Sequence, residues 1–197
     1  LSICQDHIGF MWFGTRNGLC RFDGKSFRTY RRSELPGALG NDHISTIFQG
    51  PNNELWIGTD CGLYIYSPIS DSFRLLNEKA NDGTTITGTV NIIVSNKKKI
   101  YIASLGQGVF VYDIASKKLV HHALKDTPAI MSMAIGDNDT VWVGCFHSGL
   151  HYTQDNFAHI LAYKDAQNNY ILKEHSITGI VIKGQDLFFS SSTNGLH

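Results

Sequence analysis

Four cysteines, nine histidines and seventeen acidic residues are the side chains through which this 197-residue chain could do metal, nucleophilic or acid–base chemistry. Cys4, Cys20, Cys61 and Cys145 show no C-x-x-C spacing and no nearby histidine pairing of the kind a zinc site uses. They read as small buried thiols, although an oxidising compartment would permit disulfides, whose pairing the count leaves open. A nucleophilic cysteine needs a base fixed beside it, and no such spacing accompanies Cys145. His121 and His122 are adjacent, and strand neighbours point to opposite faces, so joint metal ligation is not expected. Asn81-Asp82-Gly83 and Asp137-Asn138-Asp139 lack the spaced oxygen series ending in Glu that a calcium loop supplies, and read as turns. For glycoside cleavage two carboxyl groups must flank the bond, and only Asp42 and Asp60 are on offer near a shared end. The indoles of Trp12, Trp56 and Trp142 could stack on sugar rings. What decides that question is the scaffold that places them.

That scaffold is a repeat. Trp12-Phe-Gly-Thr, Trp56-Ile-Gly-Thr, Tyr101-Ile-Ala-Ser, Trp142-Val-Gly-Cys and Phe188-Phe-Ser-Ser follow one another after 44, 45, 41 and 46 residues, the period of propellers and solenoids. The tryptophans therefore share a slot with Tyr101 and Phe188, which marks them as packing residues rather than sugar platforms. Cys145 falls in the slot of Thr15, Thr59, Ser104 and Ser191, again a structural position.

Around each aromatic lead, four short strands rich in β-formers can be read. Turn residues such as Gly50-Pro51-Asn52-Asn53, Asn96-Lys97-Lys98 and Gly184-Gln185 join the first two as hairpins. A glycine at 18, 62, 108, 149 and 195 begins the third strand, where a tight connection disfavours a side chain. The second strand is apolar on both faces, as in Leu55-Trp56-Ile57, so it must be covered on both sides. Stacked blades around an axis meet that demand, and Gly14, Gly58, Ala103, Gly144 and Ser190 are small where the sheets converge.

The fold class is thus all-β: a β-propeller of four-stranded antiparallel blades, with about 4.6 blades here as part of a larger, seven-bladed ring. The blades are expected at about 1–43, 44–88, 89–128, 129–175 and 176–197, the last incomplete. Arg31 to Leu39 and Tyr163 to Asn169 alone could hold a helical turn or two.

Balanced charge, with 17 basic and 17 acidic residues, provides no field to draw the chain to nucleic acid or an anionic membrane. The opening residues have neither an initiator Met nor a signal-peptide layout, so the chain is expected to be a piece of a longer one. Binding groups in such a scaffold belong on loops. The links between second and third strands, and those between blades, should emerge on one face. That face presents Arg16, Asn17, Asp60, Gln107, His147 and Asn194 near the axis, with Asn41, Asp42, His43 and Tyr170 farther out. Planar polar groups and an aromatic suit a hydroxyl-rich ligand, although they also cap ordinary turns.

The first two units, Asp6-x-x-Gly9-Phe-Met-Trp12-Phe-Gly-Thr-x-x-Gly-Leu and Glu54-Leu-Trp56-Ile-Gly-Thr-x-x-Gly-Leu-Tyr-x-Tyr66, resemble the two-component regulator propeller repeat of hybrid sensors in gut bacteria. The later units depart from it at Ala103-Ser104, Gly144-Cys145 and Ser190-Ser191. WD40, kelch and sialidase-type repeats fit less well, for lack of their Trp-Asp, double-glycine and Asp-x-Gly-x-x-Trp signatures.

The resemblance implies the periplasmic sensor region of an inner-membrane histidine kinase and response regulator. It further implies an oligosaccharide ligand from glycan breakdown, a homodimer formed through the parent, and membrane contact only through the parent's transmembrane helix. No catalytic residue, metal, cofactor or nucleic-acid contact is assigned to this segment. The alternatives are a dimerisation scaffold and, less favoured, a carbohydrate-active enzyme.

Overall fold

The computed structural model describes residues 2–124, 129–136, 138–165, 167–170, 173–192 and 195–196. Its strands fall into five antiparallel sheets, each a meander in which chain neighbours pair. Blade 1 holds β1 (Ser2–Gln5), β2 (Met11–Thr15), β3 (Gly18–Phe22) and β4 (Phe27–Tyr30). Blade 2 holds β5 (Ile44–Gln49), β6 (Leu55–Thr59), β7 (Gly62–Ser67) and β8 (Ser72–Leu75). Blade 3 holds β9 (Val90–Ser95), β10 (Lys99–Ser104), β11 (Gly108–Asp113) and β12 (Leu119–His122). Blade 4 holds β13 (Ile130–Ile135), β14 (Val141–Cys145), β15 (Gly149–Thr153) and β16 (Leu161–Ala162). The last sheet has three described strands, β17 (Ile177–Lys183), β18 (Asp186–Ser191) and β19 (Gly195–Leu196).

The second strand lies at the centre of the packing, as its apolar faces require: all five residues of β6 are buried. Its aromatic slot faces the following blade. Trp12 meets Tyr66 of blade 2 at 4.9 Å, and Trp56 meets Tyr112 of blade 3 at 5.2 Å. Phe188, in the last described sheet, is 41% exposed.

The innermost strands, β1, β5, β9, β13 and β17, touch one another in sequence. A β-carbon on Gly58 would come within 2.4 Å of the Val90 carbonyl, and one on Gly144 within 2.6 Å of the Ile177 carbonyl. These positions are small because the next blade's backbone occupies the space. Cross-blade bonds fix the approach: Ser45 Oγ donates to the Val90 carbonyl at 2.5 Å, Asn91 Nδ2 to that of Ile130 at 3.1 Å, and Ser132 Oγ to that of Ile177 at 2.9 Å.

The helical turns considered for 31–39 and 163–169 do not form among the described residues. Arg32 instead bridges Leu39, and Lys164 bridges Tyr170. Pro36-Gly37 breaks the first stretch, since proline lacks the N–H a helix would use. The described helical structure is a single 3₁₀ turn at Pro51–Asn53, inside the β5–β6 hairpin.

Candidate functional site

The turns between second and third strands and the links between blades do share one face. Gly18 N–H donates to the Asp42 carbonyl at 2.7 Å, Gly62 to that of Gly88 at 3.1 Å, and Gly149 to that of His175 at 3.0 Å. The hydroxyl before each turn closes it: Thr15 Oγ1 donates to the Gly18 carbonyl and Thr59 Oγ1 to that of Gly62. Cys145 takes that slot in blade 4, where burial pushes its thiol up to about 12. A thiol so held is not a nucleophile at neutral pH.

On this face a recess of about 550 Å³ opens between blades 3 and 4, within the size range of small-molecule sites. Asn91, Ser104, Leu105, Gln107, His121 and Ile130 line it. The Asn91 Nδ2 group is spent on the Ile130 carbonyl, and its Oδ1 is buried without a partner. Leu105 stands at the turn tip, 55% exposed, while Ser104 and Gln107 shape the wall.

Of the described residues among those expected near the axis, only Gln107 lines the recess. Both polar atoms of its side chain are engaged: Oε1 accepts from the Thr87 and Gly88 N–H groups and from Ser104 Oγ, and Nε2 donates to the Thr85 carbonyl. Asn17 accepts from Arg31 Nη1 at 3.0 Å, and Asp60 pairs with the His43 ring. His147, at φ 48, sits edge-on to Phe146, and its N–H donates to Ser176 Oγ. Arg16 is exposed, and Asn194 lies outside the described residues. Farther out, Asn41 caps the His43 N–H, Asp42 caps that of Arg32, and Tyr170 lies beneath the Lys164 and Lys173 ammonium groups.

Sequence reasoning missed His121 as part of this wall. Its side chain is only 7% exposed, stacked on Phe110 at 4.5 Å. Nδ1 faces Asp82 Oδ2 at 2.7 Å and Nε2 faces the Gln107 carbonyl at 2.6 Å. The His121 hydrogen bond is the largest of the effects that hold the Asp82 carboxyl down at about 2. With Asp82 ionised, both ring nitrogens face acceptor oxygens. The residue thereby ties the blade 2–3 link to the turn lining the recess. Its separation from Asp82 by 39 residues left no local signal.

Comparison with known families adds a name to part of this scaffold. The two-component regulator propeller model matches residues 38–61, which span the approach to blade 2 and strands β5 and β6. This segment is similar to a two-component regulator propeller repeat. Comparison with curated proteins gives no match.

Among solved structures, the extracellular domain of a hybrid two-component system, BT3049 of B. thetaiotaomicron, matches with a TM-score of 0.73 at 22% identity, over 100% of this chain and 33% of its own. That of a second such system of the same organism, BT4673, matches with a TM-score of 0.77 at 20% identity, over 99% of this chain and 26% of its own. PorZ, a surface component of the type-IX secretion system of Porphyromonas gingivalis, matches with a TM-score of 0.74 at 16% identity, over 95% of this chain and 30% of its own. At these identities the likeness is one of fold. The propeller repeats here span about a third or less of each of those chains.

Proposed function

We propose that this chain is part of the extracytoplasmic ligand-sensing propeller of a hybrid two-component sensor, and that it recognises a glycan-derived oligosaccharide in the recess between blades 3 and 4. The propeller repeat at 38–61 and the fold shared with two such extracellular domains support the sensor assignment. The observation that carries the ligand reading is the buried, unpartnered Oδ1 of Asn91, a residue that lines the recess. A carbonyl oxygen so placed favours a ligand bearing a hydroxyl donor. Binding would stabilise a dimer of the parent and bias a histidine kinase beyond the membrane, with blades outside this chain completing a seven-bladed ring.

Titration of a glycan-oligosaccharide panel by calorimetry tests the reading. Leu105→Arg fills the mouth without touching the cross-blade bonds, and should weaken binding about tenfold or more while leaving the melting temperature in place. Unchanged affinity in that variant, or no heat with any member of the panel, would sink the ligand role.

A scaffold reading is favoured by one feature: the polar groups of Asn17, Asp60 and Gln107 are committed to contacts within the face. It predicts that changes at the dimer interface of the parent abolish signalling while changes at the recess leave it intact.

A further inference from the structure

The seams between blades 1 and 2 and between blades 2 and 3 are built from matching positions but differ in how much of their polar chemistry is satisfied. In the first, the Trp12 indole N–H donates to Asp6 at 2.8 Å. Asp71 accepts from the hydroxyls of Tyr30 and Tyr66 at 2.7 and 2.8 Å and pairs with Arg28 at 2.5 Å. Aligning Gly18, Gly62 and Gly108 sets Trp56 against Trp12, Gly50 against Asp6, Tyr112 against Tyr66 and Lys117 against Asp71. Strand pairing sets Arg74, opposite Ile65, against Arg28, opposite Arg21. Asp71 and Lys117 also share a left-handed backbone, at φ 49 and 57.

In the second seam the carboxylates that close the first are gone. Trp56 is 1% exposed, and its indole N–H is buried without a partner. A β-carbon at Gly50 would come within 2.4 Å of that nitrogen, so no aspartate can stand there in this backbone. Arg74 turns to Glu78 Oε1 at 3.1 Å, and Glu78 Oε2 is left buried and unpartnered. A groove of about 400 Å³ occupies the space, lined by Trp56, Tyr112, Glu54, Glu78, Arg74 and Lys117. Burial foremost, and then the neighbouring Glu78 carboxylate, push the Tyr112 hydroxyl above its ordinary value, so it remains a donor.

We propose that this groove is a second binding site, for a neutral polyhydroxylated ligand of pyranose type. A hydroxyl is a neutral group that can both accept from an orphaned indole N–H and donate to an orphaned carboxylate oxygen. Two cations and two carboxylates line the groove, so its charges cancel and an ionic ligand gains no advantage. Buried polar atoms left unpaired are few in native structures, and two of them belong to residues that line this groove. Pro51 and Asn52 of the β5–β6 hairpin also border the groove, which places it at the opposite end of the blades from the recess. The proposal therefore stands apart from the reading given above.

The test is a titration of the full chain with D-glucose, D-galactose and D-xylose, followed by the ¹⁵N indole signals of its three tryptophans. The Trp56 indole should shift saturably while that of Trp12, bonded to Asp6, stays in place. Glu78→Gln should weaken the response about tenfold, the size expected for losing a hydrogen bond to a charged acceptor. Lys117→Asp offers Arg74 and Tyr112 the carboxylate that Asp71 gives the first seam, so it should abolish the shift and raise the melting temperature. A Trp56 signal unmoved by all three sugars means that water alone fills the groove, and overturns the proposal. So does an undiminished shift in folded Lys117→Asp. Shifts confined to the Leu105 and Gln107 amides would assign binding to the recess only, and would overturn it too.

Discussion

Asp6 shows how much one side chain can decide in this molecule. Its Oδ1 accepts from the N–H groups of Ile8, Gly9 and Phe10, and its Oδ2 from the Trp12 indole, so one carboxylate closes the β1–β2 hairpin and anchors the core aromatic. Asp6→Ala should cost about 2–4 kcal/mol, since the buried indole N–H and the turn amides lose a charged acceptor together. Urea unfolding measures it, and a loss under about 0.5 kcal/mol would mean that water replaces the carboxylate freely. Cys145 makes the opposite point. Its thiol, pushed up to about 12 by burial, should resist alkylation in the folded protein at pH 8, while exposed Cys61 reacts. Mass spectrometry after brief iodoacetamide treatment distinguishes them.

At the scale of the element, the third-strand glycines and the convergence glycines act for different reasons. Gly108 has φ 92, and a β-carbon there would sit 2.3 Å from the His122 carbonyl; Gly144 has an ordinary backbone, but its β-carbon would strike Ser132 Oγ at 2.2 Å. Gly108→Ala and Gly144→Ala should each destabilise by about 2–4 kcal/mol through strain and overpacking. Gly24→Ala, with φ 94 in open space, should cost only about 1 kcal/mol, the backbone term alone. Equal losses in all three would refute the close-approach argument.

The Asp82–His121 tie adds a pH dependence. Because the folded carboxyl is held down at about 2 from 3.8, its contribution is present above pH 3.8 and is lost as the pH falls toward 2. Asp82→Asn should flatten the acid limb of the stability curve over that window, and an unchanged limb would count against the tie.

Across the whole molecule, the described strands of each blade pack chiefly on the neighbouring blades, so stability is close to a sum of blade and seam terms. The two largest buried clusters join blade 2 to blade 3 and blade 3 to blade 4. Among the described residues, the cluster reaching blade 5 has a buried centre of Leu150, Ile177 and Ile180 alone. Native-state hydrogen exchange should therefore find the slowest amides in β6, β10 and β11, and the fastest among strands in β17 and β18. Uniform protection across the blades would show the chain unfolding as one unit.

The amino-acid sequence by itself determined the strands, the blades and the end on which the loops gather. Those features repeat: Trp12, Trp56 and Tyr101 recur because each must pack on the next blade, and Gly18, Gly62 and Gly108 recur because each needs a positive φ. A periodic constraint leaves a periodic trace. The recess and the groove arise from departures from the period, and only tertiary structure could interpret them. Gln107 looked free on a loop, yet it caps the 85–88 link; His121 looked like an outer-strand residue, yet it clamps that loop to Asp82. Gly50 and Lys117 are unremarkable where they stand in the chain. Their meaning appears once Trp56 lies beside Tyr112, because whether a buried polar atom has a partner depends on the neighbouring blade.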